Sequence, residues 1–443
     1  MSGEPGRRQR YALVGAGARA EMFVRALVLD HGATAELVAL ADVNQTRMDA
    51  HNAWLRELGT AAVPTYRAAD FGAMLDKERV DTVLVTSVDS THDDYIVAAL
   101  RAGCRVITEK PMTVDVPRCQ RILDAVEATG GSVAVAFNYR YNPLHEKVRE
   151  LIASGEIGEI GSVHFEWLLD VRHGADYFRR WHRDKANSGG LMVHKASHHF
   201  DLVNWWLDAA PVEVYAAGRL FFYGSDAGRR HGYARDYDRV HGSPAAADDP
   251  FAMHLAQHPR LQALYLDAEA EDGYHRDRNV FAPGVTIEDD MSVLTRYSTG
   301  ATLTYHLTAY APWEGYRVMF NGSRGRLELE VVESDHVSPR SAGALKGAAL
   351  HGTEAAAESG SVSLTVRPFW TKPREVPVPG YRREGHGGAD ARMTAVLFGG
   401  AADPMTRGAT ARDGALALLT GLAANRSFET GQPVRVADLL SVT

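Results

Sequence analysis

Only two cysteines, Cys104 and Cys119, stand in a chain of 443 residues. They are too few for a disulfide scaffold, and their spacing is not that of a metal-binding pair. A reducing, cytoplasmic setting is therefore expected, with Asn321-Gly-Ser323 and Asn425-Arg-Ser427 as chance matches to a glycosylation sequon. No stretch approaches the ~18 uninterrupted apolar residues that a membrane span needs. Met1 to Arg10 is polar and basic, but strand-like Tyr11–Val14 meets glycines too soon to be a signal-peptide core. No dense Lys/Arg run interrupts a net charge of -8, so neither nucleic acid nor a membrane is an expected partner. Low complexity and internal repeats are also missing, with 41 Gly and 18 Pro spread along the chain. What is present is ordinary globular composition, 45% hydrophobic and 23% charged, which excludes a disordered or fibrous chain. At ~150 residues per domain the length suits two or three domains, each able to bury a core.

The chain reads as two parts, 1–138 and 139–443. In the first, short apolar runs (Tyr11–Val14, Leu37–Ala41, Thr82–Thr86, Arg105–Thr108 and Ser132–Ala136) alternate with helical patterns over Ala20–Leu29, Asn44–Leu58, Thr91–Ala102 and Val116–Ala128. Runs without polar alternation suit strands buried on both faces, and the strand–helix alternation predicts a doubly wound parallel sheet. After Tyr139 a helix is expected over Pro143–Ala153 and another from near Gly190. Period-2 segments at Gly161–Leu169, Val212–Phe222, Met291–Thr299, Ala301–Tyr310, Tyr316–Phe320 and Arg326–Val332 predict a mostly antiparallel sheet with one covered face. Gly224–Asn279 is a polar insert of no evident role. Ser334–Glu358 is small, polar and expected to be a mobile surface loop.

Val14-Gly15-Ala16-Gly17-Ala18-Arg19-Ala20 follows the first strand and opens a helix. Glycines at 15 and 17 allow a tight turn and close approach of a pyrophosphate, while small Ala20 permits close helix–strand packing. Asp42 ends the second strand at the spacing of an acid that holds adenosine ribose hydroxyls, which favours NAD over NADP. Lys110, in Thr108-Glu109-Lys110-Pro111-Met112, follows a later strand. There it either projects toward the cofactor crevice and polarises a substrate hydroxyl or is a solvated strand-end lysine; spacing does not choose. In Gly189-Gly190-Leu191-Met192-Val193-His194-Lys195-Ala196-Ser197-His198-His199-Phe200-Asp201 a continuous helix puts His194 and His198 on one face. His198 can accept the proton lost from an alcohol, with Asp201 fixing its tautomer. Structural histidines are the competing reading. A metal site at His194 and His198 lacks a carboxylate third ligand, so no metal is expected. Trp205 and Trp206 are assigned to the core.

Gly15-x-Gly17 with Asp42, Thr91-His92, Ala99-Leu100-Arg101-Ala102-Gly103, Glu109-Lys110-Pro111 and the Gly-Gly…His198…Asp201 segment together resemble the Gfo/Idh/MocA family of NAD(P)-dependent sugar dehydrogenases. The likeness is dense over residues 10–210 and returns near Gly322–Leu327 and Asn425–Leu440. It implies a Rossmann domain followed by an α/β domain with an open-faced, mostly antiparallel sheet, and a homodimer or homotetramer. It also implies catalytic Lys110 and His198, and NAD contacts from Gly15, Gly17, Ala18, Arg19, Asp42, Ser87, His92, Glu109 and Lys110. Substrate contacts are expected from Asn138, Arg140, Trp181, His182, His194 and Lys195, with Tyr177 and His386 as further candidates. This chain departs from the family where His194 replaces an Asp, and Lys195 follows. A pocket with His194, Lys195, Lys110 and Arg140 would be cationic, so an acidic or sulfonated sugar is one expected substrate. The implied activity is hydride transfer between NAD and a hydroxyl of a sugar, sugar derivative or polyol. The alternative is an NAD-dependent glycoside hydrolase that oxidises its substrate only transiently.

Overall fold

Strands buried on both faces must be covered by helices, and the apolar runs of the first 138 residues are covered in that way. The structure, a computed structural model, describes residues 7–337, 360–382 and 385–442. It divides into two compact units. The first comprises Met1–Asn138, Leu255–Arg276 and Asp390–Gly414, and the second Tyr139–His254, Asp277–Ala389 and Ala415–Thr443. Two segments that a linear division at 138 leaves in the second part therefore pack with the first.

The strands of the first unit begin with β1 (Gln9–Val14), β2 (Ala35–Asp42), β3 (Thr65–Arg67), β4 (Thr82–Val85), β5 (Arg105–Thr108) and β6 (Val133–Val135). Among the described residues they form a seven-stranded sheet in the order Ala409–Thr410, β6, β5, β4, β1, β2, β3, parallel except at the Ala409–Thr410 edge. Strand order reverses between β1 and β4, the place where ligands of such sheets bind. Asn44 caps the helix Gln45–Glu57 by accepting from the Arg47 amide at 3.1 Å. The helix expected over Ala20–Leu29 is α-helical only at Ala20–Arg25 and continues as a π turn, Ala26–Asp30. β3 and the helix Phe71–Lys77 were not expected; three residues are too few to show a strand period.

The second unit is built on a sheet that is nine-stranded among the described residues. Its order is Arg374–Glu375, Ser361–Pro368, Gly325–Ser334, Glu314–Gly322, Ile160–Asp170, Thr302–Ala311, Asp290–Tyr297, Pro211–Arg219 and Val434–Arg435. Every pairing is antiparallel except Ile160–Asp170 with Thr302–Ala311. Alternation decides the faces: Leu303, Tyr305, Leu307 and Ala309 are buried, while His306 and Thr308 point the other way. The other face carries ion pairs of Arg317 with Glu166 and Glu330, and of Glu328 with Arg326 and Arg367. Past 337 the loop expected over Ser334–Glu358 lies outside the described residues.

The helix expected from Gly190 is two helices, Leu191–His194 and Ser197–Leu207, separated by a turn at Lys195 and Ala196. Before it, Gly189 and Gly190 take positive φ (70° and 77°). Gly421 lies so close that a Cβ there would meet the Met192 carbonyl at 2.4 Å. Asn425 donates to the Gly189 carbonyl at 2.7 Å, which fixes the turn before Leu191. Trp206 is buried and donates to the His145 carbonyl at 3.0 Å. Trp205 and Trp206 are thus packing residues.

Candidate active site

In the first unit the glycine loop lies against the loop after β4. Gly15 has φ +97°, and a Cβ on it would come within 2.3 Å of the Ser87 amide nitrogen. No L side chain fits there. The Asp42 carboxylate accepts from the Ala16 amide at 2.5 Å and the Asn44 amide at 2.8 Å, joining the loop to the end of β2. Burial pushes the Asp42 carboxyl up from its usual range, opposed by the Arg47 guanidinium and the two amides.

The residues expected to face the cofactor divide into groups. Arg19 pairs with Glu109, and Glu109 also accepts the Lys110 amide at 3.0 Å. This fixes the backbone from which the half-buried Lys110 side chain leaves. Asn138 donates to Asp390 at 2.7 Å, and Arg19 lies 3.9 Å from the same carboxylate. Ser87 shares a hydrogen bond with Thr91 at 2.8 Å. His92 is a brace: its ring nitrogens lie 3.0 Å from the Pro111 carbonyl and 3.1 Å from that of Ser87. Two carbonyls favour a charged imidazole, but complete burial outweighs them and lowers its pKa.

Sequence reasoning missed a further set of contacts around the glycine loop, made by the polar insert and by His51 of the helix after β2. The Tyr265 hydroxyl accepts from the Ala18 amide at 3.0 Å and lies 3.6 Å from where a Gly17 Cβ would sit. Asn44 donates to the Ala268 carbonyl at 2.8 Å, and Arg47 Nε donates to the Leu264 carbonyl at 3.1 Å. Glu271 accepts from the Gln45 amide at 2.8 Å and from Thr46 at 2.9 Å (amide) and 2.5 Å (hydroxyl). His51, fully buried with a pKa pushed down to about 4 by desolvation, lies 3.1 Å from the Ala16 carbonyl. The insert is distant in sequence and its tyrosine and acids follow no motif, so no local signal announced them.

The second unit holds the other candidates, among aromatic rings. Tyr139 stacks on His198 with centroids 4.3 Å apart, and its hydroxyl accepts from Lys195 Nζ at 3.1 Å. Lys195 also sits 4.7 Å over the Trp167 ring. Burial pushes the Lys195 ammonium down to about 8, against the pull of Glu314 and Glu333. His199 stacks on Trp167 at 4.2 Å and bonds the Tyr305 hydroxyl at 2.7 Å, as a packed ring does. Trp181, His182, His194 and Tyr177 form one cluster: His182 lies 3.6 Å from the Trp181 ring centroid and 4.1 Å from that of His194. Tyr177 lies 5.8 and 5.7 Å from the same two histidine rings. Arg180 donates to His182 Nε2 at 3.1 Å, so that nitrogen carries the lone pair.

Two expectations change. The turn at Lys195 and Ala196 breaks the helical face that was to align His194 with His198. Asp201, expected to orient His198, is held in a buried two-pronged pair by Arg140, at 2.8 and 2.6 Å. Arg140 thus brings little net positive charge. The side chain of His386 lies outside the described residues.

A doubly wound sheet with a glycine loop and acid at its switch point, followed by a unit with a one-sided sheet, defines a dinucleotide-binding protein of two α/β parts. Residues 9–137 match the family model described as the NAD-binding Rossmann fold of an oxidoreductase family. Residues 149–436 match that family's C-terminal alpha/beta domain. The chain belongs to the Gfo/Idh/MocA oxidoreductase family, whose members depend on NAD(P). It is 34% identical over 442 residues to "Putative oxidoreductase YteT" of Bacillus subtilis (strain 168), covering 95% of this chain and 96% of the relative. It is 29% identical over 231 residues to inositol 2-dehydrogenase of Rhizobium meliloti (strain 1021), covering 52% of this chain and 63% of that one. In fold it is similar to the WlbA dehydrogenase of Bordetella pertussis, solved with NADH and UDP-GlcNAcA. The TM-score is 0.62 at 18% identity, covering 97% of this chain and 99% of that one. Among the described residues no helix is long and apolar enough to cross a membrane.

Proposed function

We propose that this chain is an NAD-dependent dehydrogenase that moves hydride between the nicotinamide and a hydroxyl of a sugar, sugar derivative or polyol. The observation that carries this reading is the Tyr139 cluster, where a stacked imidazole and a lysine with a pKa near 8 share one phenol ring. Oxidising an alcohol requires removal of its hydroxyl proton, and an imidazole nitrogen is a proton acceptor suited to that step. The inositol 2-dehydrogenase relative supports the substrate class. The Gly15 cradle and the Arg47 Nη2 atom, buried with no hydrogen-bond partner, fit a dinucleotide.

Gly15, Gly17, Ala18, Arg19, Asp42, Ser87 and Glu109 would hold the dinucleotide, with His92 bracing the loops. When bound, the dinucleotide supplies the hydride acceptor. Lys110 donates a hydrogen bond to the reacting oxygen and stabilises its alkoxide character. His198 accepts the hydroxyl proton in oxidation and returns it in reduction. Trp181, His182, His194 and Lys195 read the substrate. With Arg140 neutralised by Asp201 and the Lys195 charge opposed by burial, the cationic argument for an acidic sugar weakens, and a neutral polyhydroxyl substrate fits better. The protein would work in the cytoplasm as a dimer or tetramer joined through the open sheet face. Lys110→Ala and His198→Asn test the roles; folded variants with near-normal turnover would overturn them.

A second reading has one observation in its favour. The insert's cover on the glycine loop, through Tyr265 and Ala18, suits a cofactor retained between turnovers. Retention would suit a glycoside hydrolase in which a hydroxyl is oxidised, the glycoside leaves by elimination, water adds and the hydride returns. NAD surviving extensive dialysis in near-stoichiometric amount supports it, and net NADH release excludes it as the main activity.

A further inference from the structure

Selection between NAD and NADP is a matter of one group, the phosphate or hydroxyl at the 2′ position of the adenosine ribose. An acid at the end of the second strand favours the hydroxyl, and a nearby arginine favours the phosphate. Here both are present. Arg47 Nη1 lies 3.8 Å from Asp42, so the acid alone does not settle the choice.

Arg47 is held from several sides by the insert. Its Nε donates to the Leu264 carbonyl at 3.1 Å, and its guanidinium lies 5.7 Å from the ring centroids of both Tyr265 and Tyr274. Asp272 approaches Nη1 to 2.7 Å, while Nη2 is buried with no hydrogen-bond partner. The guanidinium, with its side chain only 10% exposed, is thus aimed and charge-neutralised by a residue far along the chain. Glu271 adds a second acid on the Gln45 and Thr46 amides, partly offset by Arg67 at 3.0 Å.

We propose that Asp272 is a cofactor-specificity residue: by neutralising Arg47 it keeps the adenosine end of the site selective for a ribose with a free 2′-hydroxyl. The insert that covers the glycine loop thereby also sets which dinucleotide is used. A 2′-phosphate brings close to two negative charges and meets Asp42 and Asp272 together, against one guanidinium already paired. Without Asp272, Arg47 Nη1 would lose its nearest anion and the guanidinium charge would be left to attract that phosphate.

The inference rests on the reading that the first unit binds a nicotinamide dinucleotide, and fluorescence titration of the full chain with NADH and NADPH tests both. Wild-type protein is expected to bind NADH more tightly. In Asp272→Asn, and in Asp272→Ser as a second variant, the preference for NADH over NADPH falls tenfold or more. In Arg47→Gln/Asp272→Asn that gain for NADPH disappears. A wild-type preference for NADH that stays unchanged in both single variants overturns the inference alone, as does a gain that survives loss of Arg47. Wild-type protein that binds neither dinucleotide overturns the inference and the reading beneath it.

Discussion

Around the glycine loop the first unit answers its polar side chains with backbone amides and carbonyls: Asp42 on Ala16 and Asn44, Glu109 on Lys110, His92 between Ser87 and Pro111. In the second unit Lys195 donates to the Tyr139 hydroxyl, His199 bonds the Tyr305 hydroxyl and stacks on Trp167, and His198 stacks on Tyr139. The contrast is physical. Backbone groups hold a cofactor frame whatever side chains surround it, whereas ring faces lower the local dielectric and tune proton affinity.

The comparison can be broken most severely at the residues proposed to act on the substrate hydroxyl. His198→Asn is expected to lower kcat by about 10²–10⁴, the range for a lost acid–base group, with little change in NADH affinity, and Lys110→Ala, which loses a hydrogen bond to the reacting oxygen, by about 10²–10³. Turnover with NADH titration on folded protein measures both. Next in size is the buried pair: Arg140→Met removes the two-pronged cationic partner of buried Asp201 and should cost about 3–5 kcal/mol in urea unfolding. Arg140→Met/Asp201→Leu should recover most of that loss.

Lys195 gives a pH signature. Its folded pKa of about 8 lies below the ordinary 10.5, so at pH values between the two the unfolded chain binds more protons. Stability from this group therefore rises with pH across that window and is least below about 8. Lys195→Met should be more stable than wild type by about 2–3 kcal/mol at neutral pH, with the gain shrinking as pH climbs toward 10.5. Unfolding at several pH values checks it, and a pH-independent difference would contradict it. The smallest effect is expected for Tyr265→Phe. It removes one hydrogen bond to Ala18 and should cost about 1 kcal/mol, read as a modest fall in melting temperature.

Legibility in the sequence followed the same division. Gly15, Gly17 and Asp42 could be found because strand, turn and acid lie within one βαβ unit and the backbone itself does the work. Tyr265 and Asp272 could not, because the insert meets the Rossmann unit only through the fold; Arg47 lies beside Asp42 in sequence, but its role depends on those insert residues. The period-2 strands of the second sheet were legible, since one covered face imposes alternation. The helix drawn through His194 and His198 was not read correctly. Nothing local in Val193-His194-Lys195-Ala196 marks the turn, which burial of Lys195 beside Tyr139 accompanies. Asp201 was assigned by spacing to His198, yet Arg140, 61 positions earlier, takes it.

The most direct measurement is to incubate the full chain with NAD and a panel of sugars, polyols and aryl glycosides, following NADH and glycoside cleavage together. The dehydrogenase account predicts NADH accumulation with at least one sugar or polyol, lost in His198→Asn. Glycoside cleavage with no accumulation of NADH would contradict it.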